Sequence, residues 1–413
     1  VSTRKTEQLE VSDIFRRLTA KVSSLSAEQR KVFEAIVNCR TAVLGGHKDR
    51  CKSCGYQEHS YNSCLNRHCP KCRGGRVFDW VAEREQELIN APYFHIVFTL
   101  PAELRTLCLL NRKLFYNLLF KASSETLLTV AKNNLGLRLG FFGVLHTWNQ
   151  DLQYHPHVHY LAPAGGLSSS DGSWEPSPDG ERFFLPVRIL SKVYRGKFIA
   201  ALKAAYPKLF FGETLSHLQN RSDFEHLLSK ACKHDWVVYA KRPFSSPERV
   251  VRYLANYTHK VGISNKRLLA ISDTSVSFSA RDNKNWKIKR RVTLSLNAFL
   301  ARFMLHVLPK GYRKVRFFGF LSQNQKARAL QTIRQAQAAA SAKAAADSAA
   351  TDTQAPIQLP SQQKSKHPRT CPHCGEGLLT PYMLYKPHKN LAPAVHSVPF
   401  QPQISSLCLA LSG

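Results

Sequence analysis

Tyr154-His155-Pro156-His157-Val158-His159-Tyr160-Leu161 is the stretch on which the reading of this chain turns. Aromatic and β-branched residues are interleaved with histidines, and the run closes on Pro163, Gly165 and Gly166, which is the pattern of a strand ending in a turn. With a side-chain period of two, His155, His157 and His159 share one face, while Pro156, Val158 and Tyr160 share the other. Same-face imidazoles can bind a divalent cation through neutral nitrogens and leave positions open for substrate oxygens. Taken alone, H-x-H is a weak signal, because surface and core histidines also fall at that spacing. Upstream, Tyr93 to Leu100 before Pro101 reads as a buried strand, roughly 103 to 135 as helical, and Leu137 to His146 as another strand-like run. The pattern is that of an α+β chain.

Downstream, Ser246-Pro247-Glu248 carries the marks of a helix start: a Ser cap, Pro at the first helical position and an acid facing the dipole. Tyr253 and Tyr257 then lie four apart, so both hydroxyls emerge on one helix face. With Val250 and Leu254 they also read as a plain apolar stripe. A phenol is nevertheless a nucleophile, and a metal that polarises a phosphodiester makes tyrosinate attack feasible.

Toward the N-terminus, residues 1–38 read as a helical segment. Beyond it the periodicity vanishes, and Cys51-Lys-Ser-Cys54 is followed after fourteen residues by Cys69-Pro-Lys-Cys72. Two C-x2-C knuckles are expected to supply four thiolates to one closed, tetrahedral zinc site. Cys39, His47, Cys64 and His68 lie in the same stretch, and with His155 they are the candidate further metal ligands. At the other end, residues 322–365 read as an Ala/Gln-rich, disordered linker, and 366–413 as a short tail with one more pair, Cys371 and Cys374. The expected domains are therefore the N-terminal segment, a zinc-binding module over 39–90, a larger body over 91–321, then linker and tail.

Composition narrows the function. Against 28 Asp+Glu stand 59 Lys+Arg, a formal net charge of +31. Such an excess calls for a polyanion, and counterion release on phosphate contact makes nucleic acid the natural one. No apolar run reaches the ~18 residues of a spanning helix, and the first twenty residues lack the apolar core of a signal peptide. A soluble cytoplasmic protein without a membrane partner is expected.

In order along the chain, these features resemble the HUH rolling-circle transposases of insertion sequences, in the two-tyrosine branch named after insertion sequence ninety-one. The marks are Tyr61-Asn62-Ser63-Cys64 and Asn66-Arg67-His68-Cys69-Pro70-Lys71-Cys72, then Phe98-Thr99-Leu100-Pro101, and His146-Thr147-Trp148 leading to His155 through His159. Tyr253-Leu254-Ala255-Asn256-Tyr257-Thr258-His259 follows with Ile263-Ser264-Asn265, and last comes His306-Val307-Leu308-Pro309-Lys310-Gly311 with Phe318-Gly319. The resemblance implies that residues 91–321 form a catalytic domain with a central antiparallel sheet flanked by helices, that His157 and His159 hold a catalytic Mg²⁺ or Mn²⁺, and that Tyr253 and Tyr257 are the nucleophiles, beside the structural zinc that the cysteine spacing announces. It implies a third polar metal ligand whose identity the sequence leaves open; Gln150, Asp151 and Gln153 precede the histidines. The activity implied is metal-assisted cutting and rejoining of single-stranded DNA at element ends through 5′-phosphotyrosine, in a bacterial, nucleoid-associated enzyme. The same chemistry would suit a plasmid or phage replication initiator or a relaxase. A water-using metallonuclease would instead leave both ends free, and a non-catalytic zinc-containing DNA-binding protein would form no adduct.

Overall fold

The computed structural model describes residues 8–72, 83–84, 86–178, 185–244, 261–282, 288–347 and 370–386. The tyrosine pair, Tyr253 and Tyr257, lies outside the described residues.

In chain order the strands are β1 Gly46–Cys51, β2 Gln57–Tyr61, β3 Tyr93–Thr99, β4 Leu137–Arg138, β5 Gly140–Trp148, β6 Tyr154–Pro163 and β7 Gly165–Ser168. They continue as β8 Trp174–Pro176, β9 Val238–Phe244, β10 Leu268–Ile271, β11 Ser275–Arg281, β12 Lys289–Ser295, β13 Val315–Gly319 and β14 Leu379–Tyr385. The central sheet has five strands in the order β13-β5-β6-β3-β9, with every neighbouring pair antiparallel. The fold is α+β, with helices packed on this antiparallel sheet.

One face of the sheet is sealed by the long helix Arg112–Leu135 and by Val187–Ala204. Ile96, Phe98, Phe141, Leu145, Val158 and Tyr160 point into that core. Burying aromatic rings with hydroxyls requires partners for the hydroxyls. Tyr160 meets Ser123 Oγ at 2.7 Å, and the Tyr116 and Tyr154 hydroxyls meet at 2.8 Å. Because one face of β6 is thus committed to the core, the alternation puts His155, His157 and His159 on the opposite, half-buried face.

A second core joins the start of the chain to its later half. Helices Val11–Arg16 and Ala27–Asn38 pack against β11 and the helix Leu296–Leu305. Phe15 stacks on Phe33 at 4.9 Å and meets Phe303 edge-on at 5.2 Å. Residues 8–38 are therefore built into the body, and a capping box, Ser26 with Gln29, starts the second helix.

Part of the segment expected as a linker over 322–365 is helical and packed at its start. It forms a helix over Lys326–Asp347, and Ala329, Leu330 and Ile333 make a short apolar stripe against Ile89, Leu167 and Phe320. Lys326 adds an ion pair to Glu87 at 2.5 Å.

Candidate functional site: a histidine cluster and two cysteine clusters

The antiparallel register sets His146 on β5 directly opposite His157 on β6. One donor nitrogen from each of His146, His157 and His159 falls within 4.8 Å of the others, as three ligands of one ion must. Ring centroids are 4.5 Å apart for His146 and His159, and 4.7 Å for His157 and His159. Each of the two β6 rings has a partner at Nδ1. His157 Nδ1–H donates to the carbonyl of His155 at 2.7 Å, so Nε2 is the basic nitrogen of that ring. His159 Nδ1 lies 2.8 Å from His95 Nε2, on the neighbouring strand β3. Neutral, oriented imidazoles backed in this way are the chemistry a divalent cation needs.

His155 takes no part in the cluster. Its Nδ1 accepts from Arg105 at 2.9 Å, and burial, with His157 and Arg105 nearby, pushes its pKa down to about 3. Two of the residues that precede the histidines have other partners. Asp151 is ion-paired with Arg290, and Gln153 Oε1 accepts from Asn149 Nδ2 at 2.9 Å. The third member is His146, which sequence reasoning quoted as a motif residue without a role. A β5–β6 hairpin register was the signal that could have found it.

The cysteines are partitioned differently from the expected quartet. Cys51, Cys54, Cys69 and Cys72 do not share one site. Cys69 and Cys72 cluster with Cys39 and Cys64, whereas Cys51 and Cys54 cluster with Cys371 and Cys374 from the tail. The reason is steric and topological. Cys51 ends β1 and faces the neighbouring β14, while Cys39 caps the helix Ala27–Asn38 beside the second core, where Cys64, Cys69 and Cys72 also sit. The two other candidates in this stretch have different partners. His47 Nε2 faces Asp49 at 3.4 Å, and His68 Nε2 accepts from the Leu308 amide at 3.4 Å, with burial lowering its pKa to about 3.

The donor sets fit zinc. Tetrahedral thiolates at the usual zinc–sulfur distance stand about 3.8 Å from one another. Here Cys64 and Cys72 Sγ atoms are 3.6 Å apart, Cys51 and Cys374 are 3.8 Å, and Cys54 and Cys371 are 3.7 Å. Among four crowded thiols the first to ionise is helped by its neighbours and the rest are hindered. Hydrogen bonding from Cys64 brings Cys39 down to about 7, while the Cys39 side chain drives Cys64 and Cys69 well up. A divalent cation removes that conflict by compensating the charge of all four sulfurs.

The first cysteine cluster is anchored to the catalytic body through its Asn66-Arg67-His68 turn. Arg67 donates to the carbonyls of Tyr312 and Pro309, at 2.5 and 3.3 Å. Beside this junction, a cavity of about 710 Å³ along β13 is lined by Arg84, Lys113, Lys310, Arg313, Arg316 and Lys326, with Tyr312 and Phe317 among them. Six cations interleaved with rings suit a phosphate backbone and its bases. No helix among the described residues is long and apolar enough to cross a membrane.

Comparison with known proteins agrees with this anatomy. A family described as "Putative transposase" matches residues 140–329, and one described as "Transposase zinc-binding domain" matches residues 10–100. The chain is 41% identical to putative transposase y4qJ of Sinorhizobium fredii over 379 residues, 89% of this chain and 93% of that one. It is 30% identical to the transposase for insertion sequence element IS801 of Pseudomonas savastanoi pv. phaseolicola, over 73% of this chain and 72% of the relative. No solved structure matches it significantly. The chain belongs to the IS91 family of transposases, DNA-processing enzymes that here carry an N-terminal zinc-binding domain.

Proposed function

We propose that this transposase cuts and rejoins single-stranded DNA at the ends of its element through tyrosine esters, with His146, His157 and His159 holding Mg²⁺ or Mn²⁺. The observation that carries the reading is the convergence of three imidazoles from adjacent strands, two of them held by a partner at Nδ1. Bound there, a divalent cation supplies positive charge to the non-bridging oxygens of the scissile phosphodiester. Tyr253 or Tyr257 supplies the nucleophile: its phenol oxygen bonds to phosphorus as the bond to the 3′ oxygen breaks. The phenol gives up its proton and the 3′ oxygen gains one, leaving a 5′-phosphotyrosine and a free 3′-hydroxyl. Each exchange is one phosphodiester for another, so the reverse attack rejoins strands without ATP. A free 3′-hydroxyl can prime rolling-circle copying, and two tyrosines allow one DNA end to be held while a second is cut.

The test is covalent trapping of labelled single-stranded DNA spanning the element ends, with Mg²⁺ or Mn²⁺, on denaturing gels. An SDS-resistant band is expected for the wild-type chain and should vanish in the Tyr253→Phe, Tyr257→Phe double variant. Cleavage that leaves both ends free, or no adduct while DNA remains bound, would refute the tyrosine chemistry.

A further inference from the structure

The family's zinc-binding domain covers residues 10–100, and nothing there accounts for a tail more than three hundred positions away. The tail nevertheless returns to it. β14 pairs antiparallel with β1 from Gly46↔Tyr385 to Cys51↔Leu379, and so forms one edge of the sheet β14-β1-β2. At the end of that ladder two knuckles of the same design meet. Cys51-Lys-Ser-Cys54-Gly55 and Cys371-Pro-His-Cys374-Gly375 are both C-x2-C-G. In each, the glycine amide bonds the carbonyl of the first cysteine, at 3.2 and 3.0 Å, and the glycine is left-handed, with φ of +75° and +73°. Backbone amides also point at sulfur: Ser53 and Cys54 N–H approach Cys51 Sγ at 3.4 and 3.5 Å, and Gly377 N–H approaches Cys374 Sγ at 3.3 Å. Those donors stabilise thiolates, and the Cys54 amide, ahead of the others, brings Cys51 down to about 6. The knuckles lie so close that a Cβ on Gly377 would stand 2.3 Å from Cys51 Sγ.

Among the described residues little else holds the tail in place. The apolar cluster beneath it consists of Cys51, Cys371 and Leu379, with Tyr56 and Cys374 against them, and Leu384 and Met383 are left 81% and 46% exposed. Tyr56 on His373 and His59 on Tyr385 add stacked ring pairs at 5.6 and 5.7 Å. So small a core offers little against the entropy of closing a loop of that length, whereas the binding free energy of a structural zinc goes directly into folding.

We propose that Cys51, Cys54, Cys371 and Cys374 hold a second Zn²⁺, and that this ion fastens the C-terminal tail to the N-terminal domain as an edge strand. The N-terminal domain is then completed only when the far end of the chain has been made.

The test uses the full chain with a specific protease site inserted between residues 355 and 360. After cleavage, the tail fragment should co-elute with the body until zinc is stripped by a chelator, and then separate from it. Metal analysis of the intact chain should show one zinc fewer per molecule in the Cys371→Ser, Cys374→Ser variant than in wild type. A tail that separates while zinc is present, a tail that stays bound after zinc is gone, or an unchanged zinc content in the variant would each overturn the proposal. None of these readouts depends on DNA cleavage, so failure of the tyrosine mechanism leaves them standing.

Discussion

His95 and His159 meet across β3 and β6 with Nε2 of the first 2.8 Å from Nδ1 of the second, their rings stacked at 5.1 Å. If His159 offers Nε2 to a cation, its Nδ1–H must donate to His95, which then acts as a positioning residue. Loss of such a partner typically weakens metal binding about 10–100-fold. His95→Phe keeps a stacked ring and removes the acceptor, so Mn²⁺ affinity measured by calorimetry should fall within that range. An unchanged affinity would show that His159 is oriented by packing alone.

His146 is a ligand in the proposed site, whereas Asp151 and Gln153 are engaged elsewhere in the β5–β6 loop. His146→Ala should therefore lower Mn²⁺-dependent cleavage by more than the about 100-fold expected for a supporting residue. Gln153→Ala should cost far less, since its amide oxygen is taken up by Asn149 Nδ2 in the loop. Initial rates on a single-stranded substrate separate the two. Comparable losses in both variants would move the third ligand back to the loop.

Arg67 ties the zinc-binding domain to the catalytic body through two backbone carbonyls. Charged donors to buried acceptors are worth about 1.5–3 kcal/mol each, so Arg67→Ala should destabilise the protein by roughly 3 kcal/mol. Arg67→Lys should recover only part of that, because an ammonium cannot fork across both carbonyls. Urea midpoints of the three proteins give the comparison, and full recovery by lysine would mean that charge rather than geometry matters here.

Acid should act on the same junction. His306 Nε2–H donates to the Leu152 carbonyl at 3.0 Å, within the left-handed turn (φ +62°) that leads into β6, and Thr147 Oγ1 lies 3.2 Å from Nδ1. Burial lowers its pKa from 6.5 to about 4. Below pH 6.5 the unfolded chain takes up a proton that the folded chain refuses, so stability is complete above pH 6.5. It drains away as pH falls toward 4, by up to about 3 kcal/mol. Zinc release also destabilises in acid. The prediction is therefore the difference: between pH 7 and 5, His306→Gln should lose distinctly less stability than wild type. Parallel losses would refute it.

The basic cavity along β13 offers Lys113, Lys310 and Arg313 to a phosphate backbone. Each lost phosphate contact reduces the salt dependence of binding by about one power of salt concentration, or about 0.7 for a single strand. The triple variant to Gln should bind single-stranded DNA more weakly and with a slope about two lower, as read by fluorescence anisotropy over a salt series. An unchanged slope would place the DNA elsewhere.

Much of this site is written in short-range pattern. The face shared by His155, His157 and His159 follows from the pleat, which needs only residues two apart. Each C-x2-C knuckle likewise announces a chelate by itself, because a tight turn sets both sulfurs on one side. Charge alone pointed to nucleic acid. What could not be read locally is which of these pieces meet. The pairing of His146 with His157 depends on the register of a hairpin, and the exclusion of His155 depends on Arg105, fifty positions earlier. The exchange of cysteine partners is the largest case: the two knuckles of the N-terminal domain separate, one toward Cys39 and Cys64, the other toward Cys371 and Cys374. Spacing restricts a knuckle's own geometry and places no constraint on its partner, which strand pairing and core packing select across the whole chain. Donor type and strand face are thus local properties of the chain, whereas the grouping of donors is a property of the fold, because only closed loops and paired strands bring residues so far apart within reach of one another.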